Sequence, residues 1–363
     1  MHFFQSNVSA GPVQFLIDLS GQRVDTHFLS VFGASALIFL GIVALVLGIW
    51  VFFVLATVFY AQAQMKATRK DETPGAKILV AHFSGVQGGR AKSSVLAALE
   101  EHLVRFNFGS SFHCAPCPLA IAASEVALTP VSHARLLRFF KQSGADLIIW
   151  GSVGDGNTSP LVCMTTPRLL AQEGRRGLVA TRISTVVAEW GEIEKQAIAY
   201  LAGRRLRPTL GRPADFRAER LYPVTVAMGE LLGEKAVMSE DAQNQLQEDF
   251  IAGALHIGTQ LRNADWLAEA RGKAEHALNT ASVSDAPIRW ARLKIALGRI
   301  ILAQCRLAFD AQQLDQAMAH LREGIDAVRT DERVQLTQSG FDALAQAEAI
   351  LADRRKFSVR WSM

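Results

Sequence analysis

The segment His113-Cys114-Ala115-Pro116-Cys117 holds the spacing richest in chemistry. Two thiols separated by two residues suit a redox dithiol, or one half of a tetrahedral zinc site. A redox pair would follow a long apolar strand, whereas Phe108 to Phe112 is short and polar, and Pro118 interrupts what comes next. Structural zinc would need a second pair of ligands, and Cys163 and Cys305 stand alone. The thiols are read as ordinary buried side chains, with Cys114 and Cys117 the candidates for any metal or redox role.

The loop Gly85-Val-Gln-Gly-Gly-Arg-Ala-Lys92-Ser93 lies between an apolar run and an amphipathic stretch, where a phosphate-binding loop would lie. That chemistry needs Gly directly before the Lys so that the backbone wraps the phosphate, and Ala91 stands there. The nine histidines are scattered without a ligand or acid-base spacing. No catalytic residue, cofactor or metal is therefore expected, and the chain reads as non-enzymatic.

Net charge is +4, aromatic residues do not interleave with the basic ones, and no nucleic-acid fold signature is present, so nucleic acid is not an expected partner. The Arg-rich stretch Gly203 to Pro213 reads as a solvated basic linker, with anionic lipid headgroups as an alternative contact. Four cysteines in a chain able to bury a large core do not suggest a disulfide framework.

Between Asp25 and Lys66 there is no Asp, Glu, Lys or Arg, and Phe28 to Tyr60 is almost wholly apolar. Crossing about 30 Å of hydrocarbon takes roughly 20 residues, so a single transmembrane helix is expected over 28–62, after a leader at 1–27. The run is too long for a cleaved signal peptide. Along it Ala34, Gly41, Ala44 and Gly48 recur at heptad-like spacing and could form a face on which membrane helices pack. Lys66, Arg69, Lys70 and Lys77 on the trailing side place the later domains in the cytoplasm, at a bacterial inner membrane.

After a linker at 63–75, Lys77 to Phe83 reads as a buried strand and Lys92 to Phe106 as an amphipathic helix, with Val95, Leu96, Leu99, Leu103 and Phe106 on one face. A helix over Ser132 to Gln142 runs into a second buried strand, Asp146 to Val153, and further strands are expected at 161–166 and 178–190, with a helix at 191–201. The result is a small α/β layered module over 76–235. The strand ending at Phe83 and the run Gly144-Ala-Asp-Leu-Ile-Ile-Trp-Gly-Ser-Val153 together resemble the TolB amino-terminal-like domain, over about 76–170. The resemblance implies an interaction or assembly module without catalytic residues.

From 240 to 356 Gly and Pro become scarce, and amphipathic helices are expected at 243–261, 264–280, 287–309, 312–328 and 333–355, followed by a tail at 357–363. Ala254-Leu255, Ala296-Leu297 and Ala343-Leu344 recur at repeat-like intervals, and Trp266 and Ala270 pair loosely with Leu314 and Ala317. Trp290, Leu297, Gly298, Leu314, Ala317 and Leu321 resemble the core of a tetratricopeptide-type repeat. Such repeats imply a concave surface for peptides or other proteins.

The expected fold class is thus a membrane-anchored α/β plus all-α protein. The expected function is a scaffold or accessory subunit that binds protein partners through its repeats, within a membrane-protein complex or homo-oligomer. Two alternatives keep the same architecture: a periplasmic envelope-assembly protein, and a thiol redox or metal-binding protein using Cys114 and Cys117.

Overall fold

The computed structural model describes residues 39–52, 55–56, 59, 63, 74–120, 130–154, 158–168, 179–206, 213–234, 237–328 and 334–361. The chain divides into two units, Met1–Ala63 and Gln64–Met363.

In the first unit the expected transmembrane helix is corrected. Among the described residues no helix is long and apolar enough to cross a membrane. The described helical residues there are 39–52, 55, 56, 59 and 63. Gly41, Ala44 and Gly48 lie on this helix, and a Cβ at Gly41 or Gly48 would meet nothing within 4 Å. Ala34, the leader 1–27 and most of the linker lie outside the described residues.

The second unit begins with a five-stranded mixed sheet. Its strands are β1 (Ala76–His82), β2 (Phe112–Ala120), β3 (Leu147–Ser152), β4 (Leu161–Thr165) and β5 (Val179–Arg182), in the order β2-β1-β3-β4-β5. β1 pairs in parallel with β2 and β3, and β4 runs antiparallel to β3 and β5. Two parallel pairings need crossovers, which α1 (Gly88–Phe106) and α2 (Pro130–Ser143) supply.

Alternation sorts the strand side chains onto two buried faces. Ile78, Val80, Leu147, Ile149, Val162 and Met164 join the larger core with α1 and α3 (Glu192–Leu206). Leu79, Ala81, Ile148, Trp150, Leu161 and Cys163 face the other way, against Leu136, Phe139 and Phe140 of α2. Burial on both faces explains why β1 and β3 read as continuous apolar runs. Gly151 is obligatory, because a Cβ there would collide with the Leu161 carbonyl and the Phe83 ring.

β2 is an edge strand that local reading misses, since Pro116 and Pro118 each remove a ladder donor. At the opposite edge the Ser184 amide donates to the Val237 carbonyl at 3.0 Å, and the Thr181 and Ser239 hydroxyls meet at 2.9 Å. That contact delivers the chain from the sheet to the helices.

The helices are α4 (Ala218–Gly233), α5 (Glu240–Gln260), α6 (Ala264–Thr280), α7 (Pro287–Leu307), α8 (Ala311–Val328) and α9 (Val334–Trp361). α5 packs on α6, α7 on α8, and α8 on α9. Buried Leu267, Ala270, Ala274 and Ala277 of α6 have the same spacing as buried Leu314, Ala317, Leu321 and Gly324 of α8. Leu267, not Trp266, is the counterpart of Leu314. Small residues set the approach: a Cβ on Gly298 would stand 2.6 Å from Leu321 Cγ, and one on Gly258 would stand 2.7 Å from Leu267. Leu297, Leu314, Ala317 and Leu321 are buried at this seam, and Trp290 is packed against it. One hydrophobic core runs from Ile78 to Ala347, so sheet and helices share an interior across the 235–240 boundary.

A buried polar cluster joins the two parts. Asp249 of α5, 3 % exposed, accepts from the Tyr200 hydroxyl at 2.8 Å and from Arg204 and Gln245. Burial opposes the Arg204 charge, but the Asp249 carboxylate outweighs that and holds its pKa above the ordinary arginine value. Removing the carboxylate strands a partly buried cation and a phenol. Asp249→Ala is expected to lower stability by about 3–5 kcal/mol, whereas Tyr200→Phe removes a single hydrogen bond and costs about 1 kcal/mol. Urea midpoints of the two variants, at unchanged m, check this ordering.

Candidate functional site

The thiols are dispersed by the sheet. Cys114 and Cys117 both lie on β2, and their odd spacing sends them to opposite faces: Cys114 packs against the larger core, and Cys117 is buried in the smaller one with Cys163. None of the four cysteines is in a disulfide. Burial pushes the Cys114 thiol up to about 12, aided by Glu100, and burial alone pushes Cys163 up to about 12. A neutral, buried thiol is a poor nucleophile and a poor metal ligand.

The glycine loop is spent on structure. Gly88 opens α1 where a Cβ would strike the Phe83 carbonyl, and Lys92 Nζ donates to the Cys117 carbonyl at 3.5 Å. The basic stretch is corrected in part: residues 203–206 belong to α3, where Gly203 packs on Phe106 and Arg204 is paired with Asp249. Residues 207–212 lie outside the described ones.

A concavity opens between α5, α7, α9 and the short turn Pro213–Asp215. It is a groove of about 700 Å³ floored by Leu255, Leu302, Ala303 and Leu336, and it continues into a smaller hollow of about 220 Å³ that ends at Arg204 and Asp249. Arg292, Arg299 and Arg306 of α7 line it. Seven-residue steps return a helix to nearly the same face after two turns, about 10.5 Å on, so the three guanidinium groups form a stripe along the groove.

Their partners differ. Arg292 donates to Glu248 at 2.7 Å, and Glu248 also faces Arg289 at 3.6 Å. Arg306 donates to Gln346 Oε1 at 2.6 Å, a neutral acceptor, and makes no ion pair with the described residues. Arg299 makes no hydrogen bond or ion pair with the described residues. Its side chain is exposed to solvent, while the protein around it still lowers its pKa below the ordinary arginine value by desolvation. His256 is held by the Phe216 carbonyl at 2.8 Å. The groove therefore offers an apolar floor, one carboxylate in its lining, Asp215, and two arginines without an acidic partner among the described residues.

These arginines escape a motif search because they belong to no motif. Their signal is the seven-residue recurrence of Arg on an otherwise amphipathic helix. Comparison with protein-family models, with curated proteins and with solved structures finds no match to this chain.

The thiol environment yields a pH prediction. A folded pKa raised above the unfolded one contributes stability that is complete below the unfolded value and lost as pH rises toward the folded value. For Cys114 and Cys163 that window opens near 9.0 and runs toward about 12. Burial also raises Tyr200, with the Asp249 carboxylate adding to it. The urea midpoint should stay constant from pH 7 to 8.5 and fall at pH 10.5, and native Cys114 should react with iodoacetamide far more slowly at pH 8 than in the unfolded chain.

Proposed function

We propose that the chain is a non-enzymatic scaffold or accessory subunit that binds an acidic, partly apolar segment of a protein partner in the α5–α7–α9 groove. The observation that carries this reading is Arg299, a cation set in an apolar-floored groove without a partner among the described residues. An exposed guanidinium without an acidic partner among the described residues can accept an incoming carboxylate through a charge-assisted hydrogen bond. Arg306 supplies a second such contact two helical turns away, a spacing that an extended or helical segment with acidic residues on one face can match. Leu255, Leu302 and Leu336 would take the apolar side chains between them.

The α6 and α8 spacing supports the reading from a different direction. Paired helices that cannot bury their faces singly stack to make one core, and their first helices line a concave surface. The resemblance of Trp290 to Leu321 to a tetratricopeptide-type repeat points the same way. Cys114 and Cys117, on opposite faces of β2, give the thiol alternative no shared site.

A fluorescent peptide of about twelve residues alternating Glu and Leu is the probe. Anisotropy should show saturable binding that weakens as salt rises, and little binding of the Lys-Leu counterpart. Arg299→Glu should weaken it by about tenfold or more, the scale of one charge-assisted contact. Equal binding of both peptides, or an unchanged affinity in Arg299→Glu, would contradict the reading.

A further inference from the structure

Away from the groove, at the seam where the last turns of α1 meet the first turn of α3, the side chains of Glu101, His102 and Glu192 converge. One ligand atom from each lies within 4.8 Å of the others. We propose that this cluster is a binding site for a first-row divalent cation of the zinc or manganese type, with His102 Nε2 and one oxygen of each glutamate as ligands.

His102 carries the argument. It is 5 % exposed, and its Nε2 is fully buried with no hydrogen-bond partner among the described residues. The nitrogen faces Glu192 Oε2 at 3.1 Å and Glu101 Oε2 at 3.6 Å, but neither approach has hydrogen-bond geometry. An unsatisfied buried ring nitrogen costs free energy, and native structures rarely leave one without a purpose. An ion with bonds near 2.1 Å sets its ligand atoms about 3.4 Å apart in a tetrahedral shell, the scale of both separations. One imidazole nitrogen and two carboxylates form a donor set suited to zinc or manganese, with water completing the shell from the exposed side of the glutamates.

Lys195 is the resident cation. Its Nζ lies 3.0 Å from Glu101 Oε2 and 3.4 Å from Glu192 Oε1, so it gathers the carboxylates that the ion would use. The Lys195 hydrogen bond lowers the Glu101 pKa, and the same bond raises that of Lys195. Glu192 has a separate reason to be where it is, since the first turn of α3 favours negative charge. Neither fact accounts for the unsatisfied Nε2. A divalent ion would displace the ammonium from one carboxylate, satisfy the imidazole, and tie α1 to α3.

The site is legible only in three dimensions. Glu101 and His102 adjoin in sequence, but Glu192 follows 90 residues later, with no ligand spacing to announce it.

The test is calorimetric titration of the full chain, stripped with chelator, against zinc chloride and manganese chloride separately. The proposal expects about one ion bound per chain for at least one metal. His102→Gln should weaken that binding at least about tenfold, and so should the exposed pair Glu101→Gln with Glu192→Gln, which leaves the buried core intact. Lys195→Met should strengthen it by removing the competing charge, an outcome that a purely structural salt-bridge cluster would not give. A circular-dichroism melt of each variant establishes that it is folded, and the ion should raise the melting temperature of the wild-type chain and of Lys195→Met, and not that of the His102 or glutamate variants. No saturable binding of either metal, an affinity unchanged in the folded glutamate pair, or binding abolished by Cys114→Ser with Cys117→Ser would overturn it.

Discussion

Asp249 sits buried where α3 of the sheet layer meets α5 of the helical array, and the positions of the other groove residues depend on it. A carboxylate in that setting would be expelled or neutralised without donors, and Tyr200, Arg204 and Gln245 supply them. The hydrogen bonds have direction, so they fix α5 against α3 in rotation as well as distance. Fixing α5 also fixes Glu248, one residue earlier, which holds Arg292 and Arg289 of α7. With Arg292 committed to Glu248, Arg299 is left two turns on as the cation that the groove does not neutralise.

The same helix, α3, carries both kinds of polar assembly. Its first turn brings Glu192 to Glu101 and His102, and its last turn brings Arg204 to Asp249. Between them Ala197, Ile198, Ala199 and Leu201 are buried, which makes α3 a rigid rod in the core and not a surface helix. The apolar core provides most of the stability, and the two polar clusters set the angles at which its layers meet.

The sequence made some of this visible and hid the rest for physical reasons. Continuous apolar runs in β1 and β3 were readable because both faces are buried, and α6 and α8 were readable from their apolar period. β2 was hidden by Pro116 and Pro118, which only an edge strand tolerates. Without β2 the opposite orientation of Cys114 and Cys117 could not be foreseen. α4 was hidden by Pro223 within it, and Arg204 looked like linker until Asp249, 45 residues away, gave it a partner. The apolar run before residue 62 led to an expected membrane span, whereas among the described residues no helix is long and apolar enough to cross a membrane. The Arg stripe of α7 and the Glu101–His102–Glu192 cluster depend on facing elements, which local patterning does not report.

The central claim is that the groove between α5, α7 and α9 is where a partner's acidic segment lies. Hydrogen–deuterium exchange of the full chain, with and without saturating Glu-Leu peptide, tests it most directly. The account predicts slowed exchange confined to residues 213–215, 252–259, 292–306 and 336–346, the segments that line the groove. Protection centred instead on β2 and α1, or binding that saturates without slowing exchange in α7, would contradict it.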